Sequence, residues 1–414
     1  MVATTGRTGT EPDLVVVGAG IAGGALATVM ARAGAGVLLL ERQATYRDRV
    51  RGELMWPWGV AEVQRLGLDS VLGNAGAHFA DRFVSYDEGS PGDPGAEDLS
   101  DLVPGVPGSL NLHHPTATEA LAAAATASGA HRCSGVRDVS ITTGPRPAVS
   151  WTDADGRHGT RCSLVVGADG RSSAVRKQAG ITLHRDPSAH LAAGLLVDNL
   201  EGIDEQTDLI ARDHDLMFLG FPQGAGRARL YFCMPNEQRG RFSGQGGATA
   251  FLDTCRLMTS LPDAAPWSRA RVAGPCATFS CEDTWVEKPD DEGVVLIGDA
   301  AGWNNPLIGQ GLSLAVRDAG TLSDALLTSG ITPEALAAYG ADRSERLRRA
   351  RIACLVEVWA NDHFQTQDPA ERRRRYERIA GDDLLTALDD AQWTGFERLP
   401  ETPSDEVVHE RLFG

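Results

Sequence analysis

The stretch that decides the fold is VVLIGDAAGWNNPLIGQGLSLAVRDA, running from Val294 to Ala319. Val294 to Ile297 reads as a buried apolar strand that delivers Gly298 and Asp299 at its carboxyl end. A short loop containing Pro306 follows, and Gly309, Gln310 and Gly311 open an amphipathic helix, with Leu312 in its first turn. A carboxylate at a strand terminus accepts hydrogen bonds from the hydroxyls of a sugar-like chain. The N–H groups at the helix start hold a partly anionic oxygen.

The front of the chain supplies the other half of such a ligand. Asp13 to Gly18 predicts a short apolar strand, and Gly18-Ala19-Gly20-Ile21-Ala22-Gly23 follows it. Gly18 permits the tight turn, Gly20 lets backbone approach a pyrophosphate, and Gly23 lets the following helix pack on the strand. Small residues continue at helical spacing, and a second strand, Val37 to Leu40, ends in Glu41-Arg42. Glu41 stands at the interval of an acid that binds the adenosine ribose. A ligand with hydroxyls on one arm, a pyrophosphate, and an edge that becomes negative on reduction is a flavin dinucleotide.

Size and charge limit the alternatives. The 414 residues exceed a usual single domain, so two domains or one elaborated domain is expected. A formal net charge of −17 argues against nucleic acid or an anionic membrane as partner. Seven scattered cysteines without a C-x-x-C motif read as reduced thiols. With no signal peptide in the polar N-terminal stretch, the expected location is cytoplasmic. The apolar run from Leu14 to Leu40 contains glycines and Arg32, which fits a buried βαβ unit better than a membrane span.

The fold class expected is α/β: a Rossmann-like nucleotide-binding domain interleaved with an antiparallel-sheet domain, then a C-terminal helical segment. The nucleotide-binding parts are 1–76, 112–185 and 290–330. The sheet domain takes 77–111 and 186–289, and the helical region 331–414. Within these, Arg82 to Tyr86 alternates as a strand, Asp87 to Gly108 forms a hairpin or mobile loop, and Leu110 to Leu112 is its returning strand. Helices are expected at Val60 to Leu66, from His113 through Ala127, at Phe251 to Ser260, and over Leu322 to Leu327, Pro333 to Trp359 and Pro369 to Asp390. Val136 to Thr142 pairs with Ala148 to Trp151, and Leu164 to Val166 leads into Gly167-Ala168-Asp169-Gly170. Alternating runs at Leu191 to Val197, Leu216 to Phe221, Ala228 to Met234 and Ala277 to Cys281 predict the antiparallel sheet.

Three motifs in order, GAGIAGG with Glu41-Arg42, GADGRSSAVR at Gly167 to Arg176, and IGDAAGWNNPLIGQG at Ile297 to Gly311, resemble those of the class A flavin-dependent monooxygenases, the para-hydroxybenzoate hydroxylase-like group. The resemblance covers about the first 330 residues. It implies one FAD, transient reduction by NADPH or NADH, a flavin C4a-hydroperoxide formed with O2, and oxygen transfer to a small-molecule substrate. By the same resemblance Asp169 supports the fold around the pyrophosphate, Asp299 contacts the ribityl arm, and Gly309 to Leu312 contact the flavin ring. Val136 joins the cofactor set, and Arg51 is placed near the isoalloxazine, with an ion pair to Glu53 or Asp48 as its other reading. The chain departs from the group at three points: Gly302-Trp303 stand where His is common after GDAA, His114 replaces an Arg, and Ser313 replaces an Asn. At His114 a pH-sensitive contact is thus expected in place of a fixed charge.

Trp56, Phe218, Phe221 and Trp303 are candidates for lining a flat apolar substrate pocket, each weighed against plain core packing. His113-His114 has no partner at ligand spacing, so no metal is expected. Trp56-Pro57-Trp58 resembles the W-x-W of flavin halogenases, but it stands far too early in the chain and no Lys precedes Lys177. The leading expectation is a monooxygenase hydroxylating or epoxidising an apolar aromatic or polyketide-like molecule. A geranylgeranyl reductase-like enzyme and a non-catalytic flavin-binding protein are the alternatives. The motifs do not specify the substrate, the regiochemistry, NADPH against NADH, or the oligomeric state.

Overall fold

The computed structural model describes residues 11–50, 52–90, 92–188, 190–361, 368–399 and 403–414. Two sheets face each other across a large cavity. The first has six strands in the order Asp290–Asp291, Val294–Leu296, Leu164–Gly167, Leu14–Val17, Val37–Glu41, His131–Ser134. All pairs are parallel except the first. Its central strands are buried at every position because both faces are covered, and apart from Glu41 at a strand end they carry no polar side chain, so period-2 alternation is absent. Helix Ile21–Arg32 covers one face and packs on helix His114–Ala127 closely enough that a Cβ on Gly24 would lie 2.9 Å from Leu121 Cβ.

The second sheet runs Arg271–Val272, His190–Asp198, Arg227–Pro235, Leu216–Gly224, Thr207–Asp213, Arg82–Asp87, Gly95–Asp98, with Ala277–Cys281 also on His190–Asp198. It is antiparallel except where Thr207–Asp213 meets Arg82–Asp87. Alternation divides its residues cleanly: Phe218, Leu230 and Phe232 join helix Gly247–Leu257 in one core, while Met217, Leu219, Phe221, Tyr231 and Cys233 face the cavity.

Several elements differ from the sequence reading. The strand expected to return beside Arg82 to Tyr86 is Ser109–Asn111, and it pairs with Leu54–Met55 and His78–Ala80 in a small separate sheet. The hairpin partner of Arg82–Asp87 is instead Gly95–Asp98. The expected hairpin at Val136 gains a third strand, Gly156–Arg161. Helix Pro369 to Asp390 is two helices, Pro369–Ala380 and Asp383–Thr394, divided at Gly381 where Asp382 caps the second through Leu384 and Leu385 N–H. Among the described residues no helix is long and apolar enough to cross a membrane.

Candidate functional site

One cavity of about 1460 Å³ joins the two sheets. That exceeds the ~300–1,000 Å³ of an ordinary small-molecule site, so it has room for a dinucleotide and a second molecule. Its walls carry Gly18, Gly20, Ile21, Ala22, Glu41, Arg42, His114, Val136, Asp169, Gly298, Asp299, Pro306, Gly309, Gly311 and Leu312 on one side, and Trp56, Phe221 and Trp303 toward the second sheet.

The nucleotide end is built by parallel strands ending side by side. Gly18 has φ +103°, and a Cβ there would sit 2.3 Å from Ala168 O. Gly23 is not on the cavity wall; a Cβ on it would strike Gly18 O at 2.0 Å, so it serves helix–strand contact. At Gly20 nothing stands within 4 Å of an added Cβ, and the same is true of Gly311. These two glycines open helices Ile21–Arg32 and Gly311–Ser329, neither with an acid in its first turn, so both positive helix ends are available to an anionic ligand. Glu41 is buried, its carboxylate accepting from Ala19 N–H (2.8 Å) and Gln43 N–H (2.7 Å), which ties the glycine loop to the second strand. Asp169 accepts from Ser173 Oγ (2.5 Å) and Ala174 N–H (2.6 Å), shaping the loop beside them.

The Gly298–Ala301 turn is held from behind by residues the sequence reading did not single out. Buried Asp318 accepts from Gly298 N–H (2.8 Å), Arg343 Nε (2.8 Å) and Arg346 Nη1 (2.9 Å). Arg343 also donates to the carbonyls of Ala301 (2.8 Å), Gly298 (3.0 Å) and Gly302 (3.0 Å). Asp318 lay within the opening stretch, but nothing local marks Arg343 as its partner.

Other candidates fall differently from the sequence reading. Phe218 is fully buried and packs on Phe232 and Trp267 away from the cavity. Phe218 and Phe221 are three apart on one strand, so period-2 geometry puts them on opposite faces. Gln310 does not reach the cavity either. Its Nε2 donates to the carbonyls of Ile308 (2.7 Å) and Gln392 (3.1 Å), and its Oε1 accepts from Trp58 Nε1 (3.0 Å), bracing the loop from below. His114 does line the cavity, but burial pushes its pKa down to about 4, with Asp299 opposing. Burial thus favours the neutral ring at this position. Arg51 lies outside the described residues. Its suggested partners Asp48 and Glu53 both turn to the wholly buried Arg229, at 2.7 and 3.3 Å, and Tyr231 O–H donates to Glu53. Burial and the Glu53 charge hold the Tyr231 phenol well above its ordinary pKa.

Toward the second sheet the wall is mixed: Ile210, Met217, Leu219, Phe221, Cys233 and Phe279 form an apolar patch, and Ser85, Asp87, Glu97, Arg212 and Tyr231 of the same sheet add polar groups. Trp56 donates its indole N–H to Ile308 O (2.7 Å) and meets Trp393 and Phe83 edge-on, at 4.5 and 5.8 Å between centroids. Among the described residues, one group could gather three metal-ligating atoms, Glu88, Asp213 and His214. Asp213 is already engaged by Thr259 and Ser260, and Glu88 by Arg372.

FAD fits this arrangement. The open spaces at Gly20 and Gly311 would admit a close-packed anionic group, and the carboxylates of Glu41 and Asp299 line the same cavity.

Comparison with known proteins agrees. A family model described as an FAD binding domain matches residues 11–352. A squalene epoxidase of Aspergillus fumigatus is 26% identical over 332 residues, covering 76% of this chain. The chain spans 66% of that protein's length, and only 14% of a mouse squalene monooxygenase that it also matches. A digeranylgeranylglycerophospholipid reductase of Methanopyrus kandleri is 27% identical over 370 residues, 84% of this chain and 90% of the relative. In fold, the crystal structure of p-nitrophenol 4-monooxygenase from Pseudomonas putida superposes with a TM-score of 0.77 at 21% identity, covering 94% of this chain and 99% of that one.

Proposed function

The chain belongs to the FAD-binding-domain family, and from that premise we propose that it is an FAD-dependent monooxygenase. It takes electrons from NADPH or NADH and uses O2 to hydroxylate or epoxidise an apolar aromatic or polyketide-like small molecule. The observation that carries this reading is that one cavity runs from the glycine loops of the parallel sheet to an apolar patch, Ile210, Met217, Leu219, Phe221 and Phe279, on the second sheet.

Bound flavin supplies the electron storage and oxygen activation. The chain's own residues do the rest. Gly18, Gly20, Ile21, Ala22, Glu41 and Arg42 take the adenosine and pyrophosphate end, with Val136 and Asp169 shaping the adjoining wall. Gly298 and Asp299 take the ribityl hydroxyls, and Pro306, Gly309, Gly311 and Leu312 hold the ring edge at a helix N-terminus. Trp56, Phe83 and Trp393 wall the chamber with carbon, which excludes water from a reactive centre. Phe221 offers a flat surface to the substrate, while the Trp303 ring, also on the cavity wall, is stacked by Arg171 and Arg185.

The test is consumption of NADPH or NADH and O2 by the flavin-loaded protein with and without p-nitrophenol and polycyclic phenols. Substrate-stimulated uptake of both, with an oxygenated product, supports the proposal. A second reading is a reductase of isoprenoid double bonds, favoured by the likeness that runs along 90% of the archaeal reductase. Anaerobic saturation of a geranylgeranyl lipid without O2 uptake would replace the first reading with the second.

A further inference from the structure

Strands Leu164–Gly167 and Val294–Leu296 are parallel neighbours, so the loops leaving them lie side by side. Their contact centres on Arg171, which the first loop delivers to the cavity wall. Its Nε donates to Asp299 Oδ2 at 3.2 Å, and its guanidinium lies over the Trp303 ring, 5.0 Å from the centroid. The aromatic support is fixed. Trp303 is 5% exposed and pinned through its backbone, N–H to Thr284 Oγ1 (2.9 Å) and carbonyl from Thr284 N–H (2.8 Å). The Arg171 carbonyl accepts from Arg176 Nη2 (3.1 Å), while Arg176 Nη1 reaches the carbonyl of Ala300 (2.7 Å), next to Asp299.

We propose that Arg171, seated on Trp303, is a positioning residue that holds the Asp299 carboxylate in the orientation that receives the ribityl hydroxyls. The inference deepens the flavin reading and rests on Asp299 being the ribityl contact. It also gives a physical reason for the Trp303 of the Gly302-Trp303 pair that stands where histidine is common after GDAA: a broad ring face makes a shelf for a planar cation. With Asp299 37% exposed in the side chain, the pair is solvent-screened and weak by itself. A ligand covering it removes that water, so the attraction strengthens as the cofactor binds, and one carboxylate oxygen stays free for the hydroxyls.

A double-mutant cycle tests this, reading FAD affinity of full-length apoprotein by quenching of flavin fluorescence, with circular dichroism and thermal unfolding as folding controls. Asp299→Ala should weaken FAD by about tenfold, the value of one hydrogen bond to a charged group. Arg171→Met should weaken it by a smaller factor, and the double variant should be no weaker than Asp299→Ala alone. Trp303→Phe keeps the shelf and should keep the affinity, whereas Trp303→Leu should lose part of it. Additive losses overturn the proposal. Tighter FAD binding by Arg171→Met also overturns it, because the arginine would then be competing for Asp299. If Asp299→Ala weakens FAD and Arg171→Met does not, this proposal alone falls. If Asp299→Ala leaves FAD untouched, the ribityl assignment falls and the proposal with it.

Discussion

Arg343 is the side chain whose loss should separate the cofactor loop from the rest of the molecule. Its guanidinium, 4% exposed, makes one bond to Asp318 and three to the carbonyls of Gly298, Ala301 and Gly302. Removing one member of a buried pair costs about 3–5 kcal/mol. In Arg343→Met the charge on Asp318 keeps Arg346 at 2.9 Å, which limits the electrostatic part. Three carbonyls lose their donor, at about 1 kcal/mol each. The sum puts the loss near 3–4 kcal/mol, inside the 5–15 kcal/mol that folded domains typically hold, so the variant should fold. Urea unfolding of apoprotein, followed by tryptophan fluorescence, measures the change, and FAD titration of the same samples should show weakened binding. Arg343→Lys should not rescue, because an ammonium cannot reach three carbonyls and a carboxylate with a planar fork. Arg373→Met is the control: its partner Glu377 is 3.5 Å away, and both side chains are about two-thirds exposed. That change should stay within about 0.5 kcal/mol. A loss below about 1 kcal/mol in Arg343→Met, with FAD affinity unchanged, would refute the idea that this residue braces the turn.

Gly20→Val and Gly23→Val should fail in different ways, since one glycine borders open space and the other touches Gly18 O. The first should give a folded protein that stays colourless after FAD addition, and the second should give little soluble protein. Gel filtration and the visible spectrum distinguish the two outcomes. Asp208, buried between Ser109 and Asn111, has its pKa raised to about 7 by desolvation, against 3.8 in the unfolded chain. A carboxyl raised on folding binds its proton more tightly in the native state, so stability falls as pH rises from about 4 to about 7 and then stays lowered. Asp208→Asn should accordingly melt higher than the parent at pH 8 and converge with it toward pH 4. A constant offset across that range would count against the assignment.

What the sequence disclosed, and what it hid, follows from the range of the interactions involved. Leu14–Val17, Val37–Glu41 and Val294–Leu296 were legible because two-sided burial leaves unbroken apolar runs bounded by glycine. Thr207–Asp213 was missed because its sequence, TDLIARD, places Asp208 and Arg212 inside, where Ser109, Asn111, Ser85 and Asn361 satisfy them. None of those partners is near in sequence. Gly156–Arg161 was missed for the opposite reason, being polar throughout on an outer sheet. The Arg229 centre joining Asp48 and Glu53 was equally hidden, since its members lie about 180 residues apart. Phe218 was misplaced by a different fault, aromatic character being read without its strand phase.

The turn at Gly298 also bears on how the protein is made. Its neighbour Ala22, 3.0 Å from where a Cβ on Gly298 would sit, emerges from the ribosome early, the strand that carries the turn follows the second sheet, and Arg343 comes later still. A nascent chain therefore passes most of its synthesis with half a cradle, and the turn gains its brace only once the helix that bears Arg343 has been made.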